Sequence, residues 1–187
     1  MPRCELCSSP ALPGGLAPVA GLVICERCRA VDPAPSLAEH GVAVEWDARL
    51  GRFSAGLGIP DQDPEFTVKW VPELWAHKLA KIGIDEVEVG DPAFDGRVFV
   101  RTNTPEAAKS IMAGEGVREA LLALLGDVKV NELLGNHVTL EGPTLTVSIS
   151  PRGGLEEGRV QELKLAAAGL ALHLLGHRRR ASAAPGE

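Results

Sequence analysis

Four cysteines constrain this chain more than any other feature. They stand at Cys4, Cys7, Cys25 and Cys28, and the 187 residues contain no others. The pattern is Cys-x2-Cys, seventeen residues, then Cys-x2-Cys. That spacing lies within the roughly 15–20 residues that separate the two halves of a four-thiolate zinc site. Two cysteines three apart can face into one tight turn and take two corners of a tetrahedron. A second turn supplies the other two corners, with Zn–S bonds of about 2.3 Å. The intervening stretch holds Pro10, Pro13, Gly14, Gly15 and Pro18, then the apolar run 19–24, which predicts a loop and a hairpin returning to the metal.

Two disulfides would use the same residues. The Met-Pro-Arg-Cys opening has no sustained apolar run, so no secretory leader is expected, and the longest apolar stretch, 165–175, is about half a membrane span. The expectation is a soluble, cytoplasmic chain whose thiols stay reduced. A redox Cys-x-x-Cys would need a thioredoxin-like βαβ unit around it, and neither pair has one. Four thiolates leave no position for water, so one structural Zn²⁺ is expected rather than a catalytic one. Its binding energy would be folding energy for a segment too small to hold a core alone.

Cys4-Glu5-Leu6-Cys7 and Cys25-Glu26-Arg27-Cys28 resemble the two knuckles of a zinc ribbon, over residues 1–32. The resemblance implies a fold and a metal, and no activity. Ser8 and Arg29 follow the pairs, where many ribbons carry glycine after the first, so the likeness is one of spacing.

Residues 33–64 read as a linker with a possible β-hairpin: Val42, Val44 and Trp46 alternate, and the chain can return through Phe53. Residues 65–180 read as an α+β domain. Phe66, Val68 and Trp70 alternate, and 84–89 and 97–102 are further strands. Helices are expected at 72–81, from Thr104 as N-cap to about Met112, and at 117–125, with Gly114 and Gly116 between the last two. Strands at 127–131, 136–141 and 144–149 follow, with a Gly142-Pro143 turn. A long helix over about 156–179 has acids at its start and Arg178–Arg180 at its end, matching the helix dipole. Residues 181–187 read as a disordered tail. This order predicts an α+β fold, a small zinc ribbon beside an antiparallel sheet covered by helices and ending in a long C-terminal helix.

The stretch Asp91-Pro92-Ala93-Phe94-Asp95, followed by Arg97-Val98-Phe99-Val100-Arg101, resembles a segment of a group of uncharacterised bacterial proteins. In these a Phe-Asp pair precedes a strand, a Pro-containing helix start and a Leu-rich helix. The resemblance would cover about 65–175. It implies a domain boundary near residue 64 and adds no chemistry.

Other candidate sites are weaker. His173 and His177 lie four apart on one helix face and could ligate a second metal, although a helix C-terminus also suits histidine. His40, His77 and His137 stand alone. Asp85, Glu86, Glu88, Asp91 and Asp95 form a carboxylate-rich stretch that a divalent cation or a glycosidase site could use. A solvated loop would carry the same residues, with Asp95 holding the turn and Phe94 and Phe99 in the core. There is no P-loop, no third glycine after Gly114-x-Gly116, no Gly-x-Ser-x-Gly, and no cysteine left over as nucleophile.

The net charge of −6 disfavours nucleic acid. Arg3, Arg27 and Arg29 are balanced by Glu5, Glu26 and Asp32, and the Arg178–Arg180 cluster is short. The leading expectation is a non-enzymatic zinc protein acting as an interaction or adaptor module. Its ribbon would offer Leu6, Leu16 and Val19 to a protein partner, and Cys4→Ser would unfold the ribbon alone. The alternatives are an enzyme with its site in the α+β domain, and nucleic-acid binding through the ribbon.

Overall fold

The computed structural model describes residues 2–10, 15–47, 52–57, 66–72, 87–114, 116–125, 136–149 and 157–183, the side chains of 178 and 180–183 excepted. In chain order the elements are β1 (Leu16–Val19), β2 (Leu22–Cys25), α1 (Glu26–Ala30), α2 (Ala34–Glu39), β3 (Ala43–Asp47), β4 (Arg52–Gly56), β5 (Thr67–Pro72), α3 (Pro92–Asp95), β6 (Val98–Thr102), α4 (Pro105–Met112), α5 (Val117–Leu125), β7 (His137–Glu141), β8 (Thr144–Ser148) and α6 (Glu157–Ala183).

The fold is α+β. An N-terminal two-strand hairpin carries the cysteines, and β3–β8 form one antiparallel sheet of order β3-β4-β8-β7-β5-β6. Alternation of apolar and polar residues determines its register. Trp46 lies opposite Phe53, Phe53 opposite Val147, Val147 opposite Val138, Val138 opposite Trp70, and Trp70 opposite Val100. One apolar row therefore crosses all six strands, and a one-residue slip anywhere would turn part of it to solvent. On the opposite face Glu45, Lys69 and Arg101 are exposed.

The apolar face packs under helices. Helix α6 meets β4, and α5 meets β5, β6 and α6. From Leu163 to Leu175 helix α6 carries the buried Ala166, Ala167, Ala168 and Ala171 among leucines that are buried too, Leu172 excepted. Small side chains let neighbours approach the helix closely on several sides. At the centre Trp70 is fully buried, and its indole N–H donates to Met112 Sδ at 3.4 Å. That contact supplies the partner a buried indole requires.

Several local expectations are revised. Thr104 stands at the N-cap of α4, but its side chain makes no cap bond. Its hydroxyl donates to Asn103 Oδ1 instead, and its N–H to Thr102 Oγ1. Residues 87–89 form no strand; Val87 N–H makes a single bond to Val100 O. The segment expected to link the ribbon to the body contains α2, and its hairpin β3–β4 is the edge of the main sheet. Helix α6 continues to Ala183, into the expected tail. Apart from Pro72, which ends β5, the expected helix at 72–81 lies outside the described residues, as does the whole of the expected strand at 127–131. Among the described residues no helix is long and apolar enough to cross a membrane.

Candidate metal centre

The first knuckle is a backbone-bonded turn. Ser8 N–H donates to Cys4 O at 2.8 Å, and Cys4 N–H donates to Ser9 O at 3.0 Å. Ser8 has φ of +57°, in the left-handed region, which explains why glycine is at home after a first knuckle. Arg3 Nη1 donates to Ser8 O at 3.1 Å and closes the turn from outside. The second pair is made differently. Cys25 ends β2 in extended conformation and is the N-cap of α1, which carries Cys28 on its buried side.

Residue Glu5 joins the knuckle to the hairpin. Its N–H donates to Val23 O at 3.0 Å, and its carboxylate accepts from Val23 N–H. The four sulfurs are thereby brought together, all within 4.8 Å of one another. Cys7 Sγ and Cys25 Sγ are 3.9 Å apart. Four sulfurs at about 2.3 Å from a central zinc would be separated by about 3.8 Å, so the set fits one tetrahedral ion. All four cysteines are free, as that fit requires. The backbone supports the sulfurs too: Cys25 N–H donates to Cys4 Sγ at 3.4 Å.

Electrostatics point the same way. Hydrogen bonds from the Ser9 side chain and backbone bring the Cys7 thiol down to about 6, against a smaller opposing effect of burial. Burial pushes the Cys28 thiol up, and hydrogen bonding with Cys7, Cys25 and Cys4 adds to that rise. Neighbouring thiols in an apolar setting cannot all ionise without a cation among them. A bound dication supplies that charge and is a strong enough Lewis acid to hold all four as thiolates.

The ribbon surface expected to meet a partner is turned inward. Leu6, Leu22 and Ile24 are buried in the same core as the sheet and α6, and Leu16 and Val19 pack against it half-buried. The tip of the hairpin explains this. Ala20 and Gly21 have φ of +47° and +81°, a two-residue turn with both positions left-handed. This tip enters a socket lined by glycines. A Cβ on Gly21 would lie 2.6 Å from Gly116 O, and one on Gly169 would lie 3.0 Å from Ala20 O. Small residues on two elements of the body let two backbones approach where side chains would keep them apart.

Histidine completes the socket. His173 Nε2 lies 2.9 Å from Gly21 O. A carbonyl oxygen only accepts, so Nε2 carries the proton and is not a metal ligand in this arrangement. His40 Nε2 lies 3.0 Å from Leu6 O and holds the first knuckle in the same manner. Farther along, Gln161 Nε2 donates to Val31 O at 2.7 Å, and Lys164 Nζ pairs with Asp32 at 2.5 Å. From sequence His173 reads as a ligand or a helix-end residue, and its role at the turn, 152 residues away, is not legible there. The Ala-Gly pair between apolar residues was the available signal for that turn.

The remaining candidates are separated. Asp91 caps α3 through Ala93 N–H and Phe94 N–H and pairs with Arg118 at 3.1 Å. Asp95 accepts from Val89 N–H at 3.1 Å and Gly90 N–H at 3.0 Å, so it holds the loop before α3 rather than the turn after it. Phe94 and Phe99 are buried. Glu88, Arg27 and Arg29 are exposed. His137 and His177 each have an interaction of their own. His77, Asp85 and Glu86 lie outside the described residues. Among the described residues the four cysteines are the one cluster of ligating side chains able to hold a metal ion.

No protein-family model, curated protein or solved structure matches this chain.

Proposed function

We propose that this chain is a zinc-binding, non-enzymatic cytoplasmic protein in which one structural Zn²⁺ on Cys4, Cys7, Cys25 and Cys28 ties the first knuckle to β2 and α1 and so fixes the ribbon that docks on helix α6. The observation that carries this reading is the sulfur set itself, all within 4.8 Å and supplied by two knuckles. Four thiolates saturate a tetrahedral ion, so it has no site for a substrate or water, and its work is to hold structure. The carboxylates of Asp91 and Asp95 are occupied in capping and in holding a loop, which speaks against an acid–base centre at that stretch.

In this reading the protein acts by binding a protein partner, with the ribbon as clamp rather than docking knob. Val23 and Val31 are the large hydrophobic side chains that stand exposed among the described residues, at 41% and 44%. They flank the clamp and are the first positions to change in a partner assay.

The test is metal content per chain, by elemental analysis and native mass spectrometry on protein without a histidine tag. One zinc, lost in Cys4→Ser, is the expected result. No metal would overturn the proposal. A second metal lost on His173→Ala or His177→Ala would favour the enzyme reading instead.

A further inference from the structure

The four cysteines are not equivalent. Cys4 and Cys28 are 1% and 2% exposed, whereas Cys7 and Cys25 reach the surface in part. The two accessible sulfurs belong to different knuckles and lie 3.9 Å apart. Cys4 Sγ is covered further by the N–H of Cys25. An oxidant arriving from solvent therefore meets one sulfur from each knuckle, already neighbours, before it meets the other two.

We propose that Cys7 and Cys25 form an oxidisable pair through which a hydroperoxide discharges the metal. This rests on the zinc reading above. The Cys7 or Cys25 thiolate attacks the peroxide, the O–O bond breaks, and a sulfenic acid and a hydroxide form. The second thiolate then attacks the sulfenic sulfur, an S–S bond forms, and a second hydroxide leaves. Two protons turn both hydroxides to water. Two sulfurs lose one electron each and the peroxide gains two. The ion keeps only Cys4 and Cys28 and departs as an aquo dication. The sulfurs must close from 3.9 Å to about 2.05 Å.

Accessibility favours this pair over the within-knuckle pairs Cys4–Cys7 and Cys25–Cys28, each of which includes a buried sulfur. The resulting bridge would join the two knuckles covalently and keep the first knuckle against the hairpin without its metal. The tip contacts of Gly21 with Gly116 and His173 lie on the body side and take no part in the redox step.

The wild-type full chain is the test material. Metal content is measured first, so absence of zinc counts against the metal reading before any oxidant is added. One equivalent of hydrogen peroxide is then added with a chromophoric chelator, followed by iodoacetamide and cleavage after glutamate. That cleavage leaves Cys7 and Cys25 in one peptide, 6–26, with Cys4 in 1–5 and Cys28 in 27–39. The expected result is release of one zinc, a 6–26 peptide two mass units lighter and unalkylated, and alkylated Cys4 and Cys28. A bridge from Cys4 or Cys28 to any partner would overturn the proposal. So would retention of zinc under peroxide, or oxidation seen only in denaturant.

Discussion

The imidazole Nε2 of His173 and the carbonyl oxygen of Gly21 are 2.9 Å apart, although 152 residues separate them in the chain. This one bond joins the middle of the C-terminal helix to the tip of the metal-bearing hairpin. Gly116 lies against the same imidazole: a Cβ there would be 2.1 Å from His173 Nε2.

Gly116→Ala should therefore act through His173. The added methyl would drive the imidazole away and break its bond to Gly21, and the residue would also keep a φ of +80°. The expected loss is about 2–3 kcal/mol, from the left-handed backbone and the lost bond together. In a double-mutant cycle with His173→Ala the two losses should be less than additive. Strict additivity in denaturant titrations would show that Gly116 and His173 are not coupled.

Metal removal should destabilise the whole chain rather than the ribbon alone. Leu6, Leu22 and Ile24 share one buried core with the sheet and α6. Each contributes roughly 1.5–3 kcal/mol by burial. Chelation, or Cys4→Ser, should lower Tm by more than about 10 °C, given ~2–4 °C per kcal/mol at this size. Calorimetry should show one transition before and after. A separate early transition, with the body melting as before, would mean that the ribbon unfolds by itself.

Asp32 should make stability depend on pH in the acid range. Burial raises its carboxyl, but bonds from Lys164 and Ala34 N–H, with the Lys164 charge, outweigh that and hold it below the usual carboxylate range. A lowered folded value means that the stabilisation is present above the unfolded value and is lost as pH falls through the folded one. Lys164→Met should return the Asp32 titration upward by NMR. At neutral pH it should lower stability by no more than about 1 kcal/mol, because the Asp32 side chain is 51% exposed. An unmoved titration would exclude the pair as its cause.

Met112→Leu probes the polar contact at the centre of the core. The swap conserves volume but leaves the Trp70 N–H without its sulfur partner. A loss of about 1–3 kcal/mol is expected from the orphaned donor. Leu121→Met, a swap of the same kind at a fully buried site, serves as the control for packing alone. Equal effects at both sites would mean that the indole bond contributes nothing.

The sequence by itself determined the parts whose causes are local. The spacing of Cys4, Cys7, Cys25 and Cys28 requires two knuckles whatever surrounds them. Alternation marked the strands around Trp46 and Trp70, because a strand's side chains repeat every two residues. Gly114 and Gly116 separated α4 from α5 at the observed place, since glycine relieves the backbone there. The tertiary structure alone decided what the hairpin does. Leu6 reads from sequence as an exposed knuckle residue and is fully buried, in the one core that the hairpin shares with the sheet and α6. His173 reads as half of a ligand pair and instead donates to Gly21. Such relationships join residues far apart in the chain, so they leave no period, spacing or composition that a sequence could display.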